Sequence, residues 1–134
     1  MVERRRGVLD TSVVIAMDSL DYNDLPEEGS IAAFTLAELT AGPLAASTPS
    51  EAAVRTERLQ WAEGKFEAIP FDAAAARPYG RIYAAVIESN QKPRGGRAVD
   101  FLIAATALSR GLPLSTRNPA DFASIATIVT IVKV

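Results

Sequence analysis

The chain has 134 residues, 49% of them hydrophobic, and a formal net charge of −2; this length fits one domain, and the apolar fraction argues against disorder. The slightly acidic balance excludes a general polyanion binder, so any contact with nucleic acid has to come from local basic patches or from bound metal. Cys and His are both absent, which removes disulfides, thiol nucleophiles, Cys- or His-based metal sites and imidazole acid–base chemistry, and leaves oxygen ligands of the kind that suit hard cations such as Mg²⁺ or Mn²⁺.

The basic start, residues 1–6, has the charge of a signal peptide's first region. Asp10 then interrupts the apolar stretch, and Asp18 and Asp21 follow. The segment is too short and too charged for a good signal peptide or a membrane span, so a soluble cytoplasmic protein is expected. Residues 7–9 read as a short strand, followed by a helix to about Met17. Residues 18–29 are polar and contain Pro26, which predicts a loop or broken helix. Residues 30–34 read as a second strand, and Thr35 is placed to cap a helix that Gly42-Pro43 disturbs. Residues 50–64 are charged, with Val54, Leu59 and Trp61 at the spacing of an amphipathic helix.

Residues 66–70 read as a third strand. Asp72 can cap an Ala-rich helix reaching about Ser89. Residues 90–97 form a basic Gly-containing loop, and a strongly apolar helix over 99–110 ends at Gly111. Residues 113–116 are a fourth strand. Asn118-Pro119 opens a short helix, since Pro suits the first helical position, and the β-branched run 127–134 is a final strand. Short strands alternating with helices predict a parallel sheet covered on both faces, an α/β sandwich.

Four acids sit beside apolar runs: Asp10 between 7–9 and 11–15, Glu38 within 35–39, Asp100 within 98–105, and Asp121 within 118–122. Carboxylates are rarely fully buried without a partner. Each has a plain structural reading. Asp10 can be an N-cap, and Thr35 with Glu38 has the spacing of a capping box. Asp100 can offset a helix dipole, and Asn118 with Asp121 repeats the capping offset. Topology favours a different reading. In a parallel sheet the strand C-terminal ends share one edge, where ligand crevices form, and these acids are expected to converge there. A cap contributes roughly 1 kcal/mol, whereas two like charges about 4 Å apart repel by about 4 kcal/mol at an effective dielectric near 20. Four converging carboxylates therefore predict a cation. A hard divalent ion lowers the pKa of a bound water and polarises a phosphoryl oxygen, the tasks that phosphodiester hydrolysis requires.

The segments LDTSVVIA at 9–16, FTLAEL at 34–39, VDFLIAATAL at 99–108 and STRNPADF at 115–122 resemble, in that order, the motifs of PIN-domain ribonucleases, specifically the toxin component of VapBC-type toxin–antitoxin pairs. The resemblance runs from Leu9 nearly to the C-terminus. It implies a single PIN domain over 1–134, a three-layer sandwich with a central, mainly parallel sheet and helices on both faces. It also implies Mg²⁺ or Mn²⁺ binding, endonucleolytic cleavage of RNA, a homodimer, and inhibition by a small VapB-like antitoxin whose C-terminal segment lies across the groove. The family's acidic quartet carries over as Asp10, Glu38, Asp100 and Asp121, with Asp121 the acid whose engagement of the metal varies among family members. Thr11, Ser12, Thr116 and Asn118 match positions that orient ligands or the attacking water; local capping and turn bonds are their plain alternative.

Lys92, Arg94 and Arg97 flank Gly95-Gly96 and are candidates to hold RNA phosphates, as is Arg117; a solvated basic loop is the alternative. Arg4 to Arg6 read more simply as a frayed, solubilising terminus. Trp61, Tyr79 and Tyr83 can stack on bases, but aromatics on amphipathic helices more often pack in a core or interface. Two rival functions remain. One is a catalytically inactive PIN-like module that binds RNA or protein, against which the intact quartet argues. The other is a phosphatase or phospho-acceptor domain, which is disfavoured because Asp10-Thr11-Ser12 lacks a second Asp two residues on and no Lys follows a late strand.

Overall fold

The computed structural model describes residues 5–91 and 96–134. Strand β1 (Arg6–Leu9) leads into helix α1 (Thr11–Ile15). Short 3₁₀ turns at Met17–Ser19 and Tyr22–Asp24 precede β2 (Glu28–Ala32) and α2 (Ala33–Ala41). After a further 3₁₀ turn at Gly42–Ala45 come α3 (Pro49–Lys65), β3 (Glu67–Ile69), α4 (Ala73–Glu88), α5 (Gly96–Ser109) and β4 (Leu114–Thr116). A 3₁₀ segment, Pro119–Ile125, and β5 (Ile131–Lys133) complete the order.

The strands form a five-stranded sheet in the order β3-β2-β1-β4-β5, with every pairing parallel. Helices cover both faces, and the strand pleat shows why. Successive side chains of a strand point to opposite faces. Val8, Ala32, Ile69 and Leu114 pack into one core with Ile82 and Val86 of α4 and Phe101, Ile103 and Ala104 of α5. Their chain neighbours Leu9, Ile31 and Ala68 join the opposite core, with Val13 and Val14 of α1, Leu39 of α2 and Ala62 of α3. The fold is therefore the expected three-layer sandwich. No helix among the described residues is long and apolar enough to cross a membrane.

Local caps follow the sequence in places. Thr48 accepts the Glu51 N–H at the start of α3, and Asp72 accepts the Ala75 N–H at the start of α4, as predicted for Asp72. Gly111 has φ +63 and ends α5: its N–H bonds to Leu108 O while the Leu112 N–H reaches Ala107 O, the paired bonds of a left-handed helix terminus.

The structure corrects several boundaries: α1 ends at Ile15, β2 begins at Glu28 inside the expected loop, and β3 spans only Glu67–Ile69. The second strand stops at Ala32, and Phe34 and Thr35 lie inside α2, whose N-cap residue is Ala32 with no side-chain capping bond. The Thr35–Glu38 capping box is thus absent, because both residues are already within the helix. Helix α5 begins at Gly96, so Arg97 is helical and Asp100 stands past the first turn. The last strand is confined to Ile131–Lys133.

Candidate active site

Asp10 leaves the end of β1 and is 5% exposed. It occupies the N-cap position of α1 yet makes no capping bond. Its Oδ2 instead accepts the Ser12 hydroxyl at 2.8 Å and the Thr116 hydroxyl at 2.9 Å. The sheet sets up this contact. The Asp10 N–H donates to Ser115 O at 2.9 Å, which aligns the ends of β1 and β4 and puts the Thr116 hydroxyl beside the carboxyl. Thr116 Oγ1 also accepts the Asn118 N–H at 3.1 Å, and Ser12 Oγ accepts the Arg117 N–H at 3.3 Å. The two hydroxyls therefore tie the turn after β4 to α1 while fixing one oxygen of Asp10.

Glu38 is held in a parallel way from the other side of β1. A carboxylate only accepts hydrogen bonds, and a hydroxyl has one proton. Thr11 Oγ1 gives its proton to Glu38 Oε1 at 2.7 Å. The 2.9 Å contact between the Thr11 and Thr35 hydroxyls must then run from Thr35 to Thr11. Thr35 is fully buried. It is the residue that sequence reasoning read only as a cap. Its spacing of three from Glu38 did carry a signal, because residues three apart share a helix face.

Asp100 comes from the opposite layer. Helix α5 passes through the Gly111 turn directly into β4, so it runs back along the sheet and its first turns lie over the strands' C-terminal edge. The Asp100 carboxyl is pushed up to about 6, first by burial, then by Asp10, Glu38 and Asp121, with Arg97 acting in the opposite sense. Asp10, Glu38 and Asp121 therefore each act on Asp100 across the crevice. Asp121 sits in the 3₁₀ segment after β4. Arg97 donates from Nη1 to its backbone carbonyl at 2.8 Å and has Nη2 3.9 Å from its Oδ1.

The strand order adds a reason for the location. The chain goes from β1 outward to β2 and β3, then returns to the other side of β1 as β4 and β5. The ends of β1 and β4 flank the point where this order reverses, the usual ligand crevice of an open parallel sheet. Asp10 and Thr116 stand at those two ends.

The remaining candidates fall differently. Arg117 and Asn118 are exposed beside the pocket; Asn118 contributes its N–H, and its side chain makes no capping bond. Lys92 and Arg94, like Arg4, lie outside the described residues. Trp61 packs edge-on to Phe66 at 5.4 Å and lines a separate cleft of mixed polarity with Met17, Tyr22, Val54, Asp18, Glu57 and Arg58. Tyr79 packs against the core with Tyr83 at 6.1 Å. Tyr79 is partly buried against the core, while Trp61 and Tyr83 remain 39% and 47% exposed.

The donor chemistry fits a hard divalent ion: carboxylates in a shared crevice with Arg97 as the cation noted beside them. Among the described residues, no three acids are already drawn together closely enough to enclose a metal.

A family model described as PIN domain matches residues 7–128. Ribonuclease VapC5 of Mycobacterium tuberculosis is 40% identical over 135 residues, covering 96% of this chain and 95% of that protein. Ribonuclease VapC4 of the same organism is 29% identical over 132 residues, covering 95% and 96%. The crystal structure of VapBC-5 from Mycobacterium tuberculosis, a member of the VapBC family of toxin-antitoxin systems, contains a chain that superimposes with a TM-score of 0.84 at 40% identity, covering 96% of this chain and 98% of that one.

Proposed function

The chain belongs to the PIN domain family, and from that premise we propose that it is a divalent-metal-dependent endoribonuclease, the toxin of a VapBC-type toxin–antitoxin pair, built as a single PIN domain over residues 1–134. The observation that supports this best is the meeting of Asp10, Glu38 and Asp121 around Asp100 at the reversal point of the sheet.

In this reading Asp10, Glu38 and Asp100 hold Mg²⁺ or Mn²⁺, and Asp121 completes or orients the set. When bound, the ion supplies activation of a water and neutralisation of charge on the scissile phosphate. The chain's own contribution is orientation. Ser12 and Thr116 fix Oδ2 of Asp10, which sets the rotation of the carboxyl and leaves Oδ1 for a ligand. Thr35 and Thr11 do the same for Glu38, holding Oε1 and leaving Oε2. Such supporting hydrogen bonds are the usual means of aiming ligand carboxylates. Arg117, exposed beside the pocket, and the basic residues Lys92 and Arg94 are assigned to the RNA backbone.

The cleft between the segment after α1 and helix α3, where the exposed Tyr22 (70%) lies with Trp61, Val54, Asp18, Glu57 and Arg58, is assigned to the antitoxin chain. Exposed aromatic and aliphatic side chains in one cleft mark an interaction surface. A homodimer and a cytoplasmic location belong to the same reading.

The test is direct. The purified chain, incubated with mixed RNA and Mn²⁺, is expected to fragment it; EDTA stops the reaction, and Asp10→Asn abolishes it. Cleavage that survives EDTA overturns the metal assignment. Intact RNA under all conditions moves the chain to the inactive binding-module reading.

A further inference from the structure

Arg97 stands three residues before Asp100 on α5, so the two side chains share a helix face. Its guanidinium spends both of its contacts on one residue 24 positions away: the carbonyl of Asp121 at 2.8 Å and the carboxylate at 3.9 Å. Asp10 and Glu38 are each fixed by hydroxyl donors. No hydroxyl among the described residues donates to Asp121, and Arg97 fills that place. The side chains of the pair are 43% and 44% exposed, and an ion pair so open contributes about 0–1 kcal/mol. The hydrogen bond to the backbone makes the contact two-pointed, and it joins the start of α5 to the 3₁₀ segment that carries the fourth acid.

We propose that Arg97 is a positioning residue: its guanidinium clamps Asp121 and the 3₁₀ segment to the start of α5, and it stands at the acidic pocket as a built-in positive charge against which a divalent ion must bind. This differs from a free phosphate hook on a mobile loop. The clamp rests on the fold alone; the counter-charge role rests on the metal reading of the pocket.

Two measurements separate these roles. Hydrogen exchange is compared for the wild-type chain, Arg97→Gln and Arg97→Lys. The clamp predicts that amides 119–125 exchange on the order of five- to tenfold faster in Arg97→Gln, with partial recovery in Arg97→Lys and no change in α3. Mn²⁺ titration by calorimetry is expected to give about three- to tenfold tighter binding in Arg97→Gln, where the opposing charge is gone, and near wild-type binding in Arg97→Lys. A residue that only stabilises the fold has no reason to tighten metal binding when removed. With RNA as substrate, Arg97→Gln is expected to lower kcat with KM unchanged.

Unchanged exchange at 119–125 overturns the clamp. Unchanged or weaker Mn²⁺ binding in Arg97→Gln overturns the counter-charge. A rise in KM alone makes Arg97 an RNA contact and overturns the proposal. Wild-type chain that takes up no Mn²⁺ sinks the metal reading and the counter-charge with it, while the exchange rates still decide the clamp.

Discussion

The Asp100 carboxyl titrates near 6 rather than near 3.8, because burial and three neighbouring acids disfavour its charge. Between about pH 4 and 6 the folded chain therefore binds more protons than the unfolded one. This group favours the fold below pH 4, and its contribution is lost as pH rises through about 6. At pH 7.5, Asp100→Asn is expected to raise the melting temperature by about 2–4 °C, after allowance for screening of a partly exposed group. At pH 4 that gain should vanish. A scanning calorimeter run at both pH values checks the sign; a large loss at both would mark Asp100 as structural. Thr11 and Thr35 carry a second prediction. Thr11→Val leaves the buried Thr35 hydroxyl without its acceptor and should cost about 1–2 kcal/mol in urea unfolding. Thr11→Val with Thr35→Val should cost less than the sum of the two single changes, since replacing both partners by apolar groups is nearly neutral. Additive losses would show that the two hydroxyls do not act as a chain. The sequence singled out the four acids and Thr11, Ser12 and Thr116 as candidates, and the structure hydrogen-bonds these hydroxyls to Asp10 and Glu38. Which oxygen each hydroxyl holds was not legible in the sequence, because that depends on side chains 27 and 106 positions apart.

Helix ends were the least legible elements. The run 30–34 is apolar throughout, and short apolar runs do not distinguish strand from helix; the chain turns helical at Ala33. Gly95-Gly96 read as loop, yet Gly96 opens α5. Tertiary packing of the apolar 98–107 stretch outweighs the roughly 1 kcal/mol propensity penalty of one glycine. That extra turn brings Arg97 onto the helix face it shares with Asp100. By contrast, Gly111 was readable as a stop, because a left-handed residue after a helix favours glycine. An added Cβ there meets nothing within 4 Å, so Gly111→Ala is expected to cost only the conformational penalty, about 1 kcal/mol, measurable as a lower urea midpoint with unchanged slope.

For the whole molecule, the parallel order β3-β2-β1-β4-β5 gathers acids from the first and last thirds of the chain at one edge. If that crevice holds metal, Mn²⁺ at a hundredfold excess over its dissociation constant should stabilise the fold by about 2.7 kcal/mol, a rise in melting temperature on the order of 5–10 °C, and Asp10→Asn with Asp100→Asn should abolish the shift. An equal shift in the double variant would place the ion elsewhere. The residue alphabet alone decided that any metal site here is built from oxygen ligands, and the alternation of strands and helices decided the sandwich, since both follow from local chemistry and periodicity. Tertiary structure alone decided that α5 returns over the C-terminal edge, that Thr35 supports Thr11, and that Arg97 faces Asp121. Those outcomes are set by which surfaces pack together across long loops, and no local pattern in the chain encodes that.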